Sequence, residues 1–107
     1  MMKTDKSIVL SKIKTLVKDI DRHADIILYG SRARGDEHPD SDWDILILVN
    51  SKTDLDYERI FRHRLYEIEL EKDIIIGPLI LPRDEWENKR YKNHPIHERI
   101  DEEGVLV

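Results

Sequence analysis

The chain has no cysteine, which excludes a disulfide framework, a thiolate metal site and cysteine redox chemistry. That composition suits a reducing cytosol, so a cytoplasmic location is expected. Glycine and proline are sparse, four of each, and nothing resembles a linker, a repeat or a low-complexity segment. Long apolar runs are also missing: none approaches the roughly 20 residues that span a membrane. The lysines and aspartate of the opening MMKTDKSIVLSKIK interrupt any signal-peptide core. An excess of positive charge is lacking too. Eighteen Lys and Arg stand against 23 Asp and Glu, a formal charge of -5, which argues against a general nucleic-acid binder with its basic stripe. Neither a membrane nor a direct nucleic-acid partner is expected.

What is present is 39% hydrophobic and 38% charged residues, enough for one modest core under a highly charged surface, so residues 1–107 are expected to form a single domain. Thr4 or Asp5 can cap a helix whose apolar positions Val9, Ile13, Leu16, Val17 and Ile20 recur at helical spacing. Ile26 to Tyr29 is a short apolar run stopped by Gly30 and reads as a buried strand. The polar segment from Arg32 to Ser41 begins as a helical turn and ends as loop. Asp42 to Val49 is the clearest strand, apolar on both faces past its first three residues, as in a strand covered on both sides. Asn50 to Asp54 turns the chain, and Asp54 caps a second helix over 55–70 with Ile60, Phe61, Leu65 and Ile68 on its apolar face. A third strand is expected from Asp73 through Leu81, with Gly77-Pro78 marking a bulge or an edge position. Pro82 to Trp86 starts a helix, and the remaining tail reads as solvated. The order predicts an α/β (α+β) fold: a small mixed sheet with flanking helices.

Asp42 and Asp44, one residue apart at a strand start, project to the same face. On Cα atoms roughly 6.5–7 Å apart, they can ligate cations about 3.5–4 Å apart, the two-metal spacing of phosphoryl transfer. Hard oxygen ligands select Mg2+, with Mn2+ as the alternative. The plainer reading makes Asp42 a turn cap with Ser41 and leaves Asp44 exposed at a strand end. Gly30 permits close backbone approach, and a helical turn starting at Ser31 leaves N–H groups for an anion, so a triphosphate fits there. Ser31 can donate its hydroxyl to phosphate, and either Arg32 or Arg34 can add positive charge. The plainer alternative is an ordinary turn with Ser31 as its N-cap. His23, His38, His63, His94 and His97 show no metal-ligand spacing backed by other ligands, and His94 and His97 read as surface. Trp43 points away from the aspartates and packs, while Trp86 belongs to the solvated tail.

The run G30-S31-R-A-R-G35-D-E-H-P-D-S41-D42-W-D44 resembles the minimal nucleotidyltransferases of the DNA polymerase β superfamily, whose pattern is GSxARGxxxxxSDxDxx(V/I). Gly30, Ser31, Ala33, Arg34, Gly35, Ser41, Asp42, Asp44 and Ile47 all fall in register. The resemblance implies ATP or another nucleoside triphosphate bound by Gly30, Ser31 and Arg34, two Mg2+ ions held by Asp42 and Asp44, and release of pyrophosphate. It also implies a third carboxylate from a neighbouring strand, for which Asp73 stands first and Glu69 and Glu71 compete. In the resemblance, that carboxylate is the group that activates the acceptor hydroxyl. Relatives with larger chains carry an acceptor-binding domain, whereas this sequence ends soon after the expected core. The resemblance therefore extends to antitoxins that adenylylate a HEPN-type toxin partner. The rival readings are transfer to a small molecule such as an antibiotic, and a silent module that neutralises its partner by contact.

Overall fold

The computed structural model of the chain describes residues 5–50 and 54–107. Asp5 opens α1 (Lys6–Ile20) by accepting the N–H groups of Ser7 at 2.8 Å and Ile8 at 3.3 Å, which satisfies donors that a helix start leaves unpaired. Thr4, the other expected cap, and residues 51–53 of the expected turn lie outside the described residues. The next elements are β1 (Asp25–Tyr29), the single turn α2 (Ser31–Arg34) and β2 (Trp43–Val49). They are followed by α3 (Leu55–Lys72), β3 (Ile76–Pro82), α4 (Arg83–Trp86), α5 (Lys89–Lys92), α6 (Pro95–Glu103) and β4 (Val105–Leu106).

The sheet order is β3-β2-β1-β4, with β1 antiparallel to both neighbours and β2 parallel to β3, so the sheet is mixed as expected. Alternation along β2 divides the core. Trp43, Ile45, Ile47 and Val49 pack with Val9, Ile13 and Val17 of α1 and Phe61, Leu65 and Ile68 of α3. Leu46 and Leu48 face the other way and pack with Tyr29, Leu81, Trp86 and Ile100. At the far end of the sheet Arg83 joins three segments, donating to Asp25 Oδ2 at 2.6 Å, to Asn50 Oδ1 at 2.6 Å and to the His23 carbonyl.

Three expectations need correction. The second helix does not stop near Leu70 but runs to Lys72, where Asp73 adopts the left-handed conformation (φ 54°) and its N–H bonds the Glu69 carbonyl. An Asp tolerates this cap conformation better than most non-glycine residues, so the helix ends without the glycine that would have advertised it. The third strand therefore starts at Ile76 rather than Asp73, while its edge position stands. Ile60 is half exposed rather than part of the apolar face.

The tail packs through Trp86, His97 and Ile100, while most of its other residues, His94 among them, are exposed as expected. Trp86 is 4% exposed and stacks on His97 with ring centroids 4.2 Å apart. His97 is buried, and His94 caps α6 by accepting the Ile96 N–H through Nδ1 at 3.1 Å. The three short helices thus cover the Leu46 face of the sheet. Trp86→Ala should cost about 3–5 kcal/mol of unfolding free energy through the cavity it leaves. Urea unfolding measures it, and a cost under about 0.5 kcal/mol would return this segment to the surface class.

Candidate active site

The strand β1 ends by delivering Gly30 beside β2, because Tyr29 pairs with Asp44 in the antiparallel register. Gly30 has φ 77° and ψ -160°, a conformation costly for any L side chain, and a Cβ there would collide with the Asp44 carboxylate. The glycine is thus required twice, by its backbone angles and by the carboxylate lying against it. Gly30, not Ser31, is the N-cap residue of α2, which corrects the expected cap; Ser31 is the first helical residue. Gly35 (φ 86°) closes the turn, its N–H bonding the Ser31 carbonyl at 2.9 Å.

The two arginines of the motif separate cleanly. Arg32 is buried: its Nε donates to the Ser41 carbonyl at 3.0 Å and Nη2 to the carbonyls of Pro39 at 3.2 Å and His38 at 3.4 Å. Its guanidinium lies 4.2 Å from the Trp43 ring centroid, a cation–π contact. Arg32 therefore fastens the loop that leads into β2. The loop closes on itself as well, with His38 N–H donating to Ser41 Oγ at 2.8 Å and Ser41 N–H to the His38 carbonyl at 3.0 Å. Arg34 is the exposed one and lies on the site side, its Nη1 bonding the same Glu103 oxygen that accepts the Gly30 N–H.

Asp42 is exposed and Asp44 half-buried, and by alternation both stand on the Leu46 face of β2. Burial, then the neighbouring charge of Asp42, pushes the Asp44 carboxyl above its ordinary value, with a smaller push from Glu103 and opposing pulls from Arg99 and Arg34. Opposite Asp44, Tyr29 has its phenol pushed up by burial and then by the Asp44 charge. The site is thus electronegative at its centre, with cationic side chains beside it.

Glu103, at the end of α6, enters the same site. Its Oε2 accepts the Gly30 N–H at 2.9 Å and Arg34 Nη1 at 2.8 Å, and its Oε1 accepts Arg99 Nε at 3.1 Å. Burial raises its carboxyl, but Arg34 and Arg99 together more than offset that and hold it below the usual range.

The nucleotidyltransferase domain model matches residues 10–103 of the chain. The chain belongs to the nucleotidyltransferase family. It is 41% identical over 69 residues to the Methanocaldococcus jannaschii protein named "Putative protein adenylyltransferase MJ0141", covering 64% of this chain and 67% of that one. Two solved structures share the fold. A toxin–antitoxin structure with AMP-PNP has a TM-score of 0.65 at 20% identity, covering 90% of this chain and 69% of that chain. A mutant form of the toxin–antitoxin MntA-HpeT has a TM-score of 0.63 at 19% identity, covering 92% of this chain and 70% of that chain. The α/β fold with its four-stranded mixed sheet is that of these nucleotidyltransferase neighbours.

Within this nucleotidyltransferase the fold brings Gly30, Ser31, Arg34, Asp42 and Asp44 to one end of the sheet, and leaves the third-carboxylate candidates elsewhere. Glu69 accepts the Ile76 N–H at 2.9 Å and so tethers the start of β3. Glu71 pairs with Lys12 of α1 at 3.0 Å, and the hydrogen bond to Lys12 holds its carboxyl low. Both belong to α3, on the opposite face of the sheet from Asp44. Asp73 is the exposed cap of that helix, three residues before the strand. The β3 residue in register with Asp44 is Gly77, where a Cβ would stand 3.1 Å from Asp44 Oδ1. Among the described residues no three His, Asp or Glu side chains form a metal-holding group. Glu103 and Arg99 were missed by the sequence reading, although Ile96 and Ile100 are spaced as on one helix face, with Arg99 and Glu103 likewise four apart.

A raised carboxyl means the folded state holds its proton more tightly, so Asp44 costs stability as pH climbs from the ordinary aspartate range through the raised value. Asp44→Asn should therefore be more stable than the parent at neutral pH. The gain should be at most about 1 kcal/mol for so solvated a group, and should vanish below roughly pH 4. Thermal melts at pH 3.5 and 7.5 measure the difference.

Proposed function

We propose that the chain transfers AMP from ATP to a hydroxyl, most economically a tyrosine hydroxyl, on a HEPN-type toxin that it neutralises. The observation that carries the reading is Gly30 packed without room for a side chain against Asp44, which joins a phosphate-binding turn to a carboxylate pair. The M. jannaschii relative named for protein adenylyl transfer and the toxin–antitoxin neighbour with AMP-PNP support the acceptor class and the nucleotide. Ser31 and Arg34 hold the triphosphate by hydroxyl and guanidinium contacts, with the α2 N–H groups adding donors. The acceptor oxygen attacks the α-phosphorus and forms a phosphoester as the bond to the β-phosphate oxygen breaks. Pyrophosphate leaves, and the hydroxyl proton passes to water, since no carboxylate on β3 faces Asp44.

Asp42 and Asp44 fit a divalent cation: they are oxygen donors on one face, and a cation would offset both the burial and the Asp42 charge that raise Asp44. Magnesium bound there would neutralise phosphate charge and acidify the acceptor hydroxyl. The work of the chain's own residues is to align phosphate and acceptor.

A second reading is favoured by Gly77. With glycine where a facing carboxylate would stand, the chain would neutralise its toxin by contact alone. Intact-mass measurement of a co-expressed toxin after incubation with ATP and magnesium separates the two. The toxin should gain one or more adenylyl groups, and Asp42→Asn and Asp44→Asn should slow this at least about 100-fold, the scale of losing one strong electrostatic stabiliser. An unmodified toxin still neutralised by Asp42→Asn would establish the contact reading instead.

A further inference from the structure

Arg34 is gripped on two of its three nitrogens. Its Nε donates to Asp36 Oδ2 at 3.1 Å and its Nη1 to Glu103 Oε2 at 2.8 Å, which leaves Nη2 as the edge not hydrogen-bonded among the described residues. The two carboxylates differ in kind. Asp36 is 62% exposed and two residues along the same turn, so its grip is local and solvent-screened. The Glu103 side chain is 13% exposed and comes from 69 residues away, on a different element.

Glu103 is itself fixed from three directions. Arg99, one helical turn earlier, holds Oε1. Gly104 ends α6 by donating its N–H to the Ile100 carbonyl at 2.7 Å, and Ile100 is buried in the cluster around Trp86. Beyond it, β4 pairs with β1 at Leu28–Val105 and Ile27–Leu106, which places Glu103 alongside Gly30. Its Oε2 takes the Gly30 N–H that the β1–β4 ladder leaves beyond the last pair. One carboxylate oxygen therefore sets both the turn and the guanidinium.

We infer that Glu103 is a positioning residue for phosphate: it holds Gly30 and Arg34 in the arrangement that receives the triphosphate, and Arg99 holds Glu103. The inference rests on the nucleotide reading of the site. Its mechanism is preorganisation. An exposed arginine loses rotamer freedom on gripping phosphate, and one already fixed on two nitrogens loses less. The contrary mechanism, in which the Glu103 carboxylate competes with phosphate for Arg34, predicts the opposite sign.

Calorimetric titration of the full chain with AMP-PNP and magnesium reads that sign. Glu103→Gln keeps an oxygen for the Gly30 N–H but loses the charge that fixes Arg34, and should bind about tenfold more weakly. In an Arg34→Ala background the same change should have little further effect, because Glu103 acts through Arg34. Should Glu103→Gln fail to fold in a thermal melt, Arg99→Met, at an exposed position, takes its place with an expected loss of about threefold. Tighter binding by Glu103→Gln would make Glu103 a competitor of phosphate and overturn the inference. Unchanged binding with a lower melting temperature would overturn it too, leaving a fold clamp. Variants that bind like a wild type of measurable affinity remove this inference alone, whereas a wild type that binds no AMP-PNP removes the nucleotide reading with it.

Discussion

The burial of β2 on both faces is the constraint on which the rest depends. Its side chains alternate between two apolar clusters, one under α1 and α3 and one under α4 to α6. A slip of one residue would exchange every side chain between them. Trp43 would then face the site and Asp44 the larger core. The register that buries Trp43, Ile45 and Ile47 is therefore the one that aims Asp42 and Asp44 at the opposite surface, and the electrostatic cost at Asp44 is carried by packing elsewhere along the strand. Arg32 secures the same register from the loop side, stacked on Trp43 and bonded to three carbonyls of the loop that precedes Asp42.

Charge around the site is arranged in layers. The aspartate pair forms an anionic centre, Arg34 and Arg99 lie beside it, and Glu103 links those two arginines to the turn. A chain whose net charge is -5 thus sets two arginines, each held by a carboxylate, beside the aspartate pair where a polyanionic ligand would approach. Local arrangement, not the total, sets what the site attracts.

Much of this was legible in the sequence because it is local. The cap at Asp5, the apolar period of α1 and the double-faced run of β2 each follow from neighbours within a few residues. The motif from Gly30 to Asp44 is equally short, and its residues converge as the strand and turn geometry requires. What was not legible depends on long-range pairing or on an unusual cap. Asp73 in the left-handed conformation lengthened α3 and took the expected acid off the strand, because nothing in KDIII separates a helix end from a strand start. Trp86 and His97 lie in a segment so rich in charge that it reads as solvated, yet each covers the other's ring in the core. Glu103 reaches Gly30 across 73 residues, a proximity decided by two residues of β4.

The two margins of the sheet have a consequence for behaviour in concentrated solution. One margin is β3, which carries Gly77, Pro78 and Pro82. Prolines lack the N–H that a docking strand would use. The other is β4, with only two residues in its ladder. Neither offers a long, flat template, so a chain with an apolar, β-rich centre is protected against edge-to-edge aggregation without having to charge its borders.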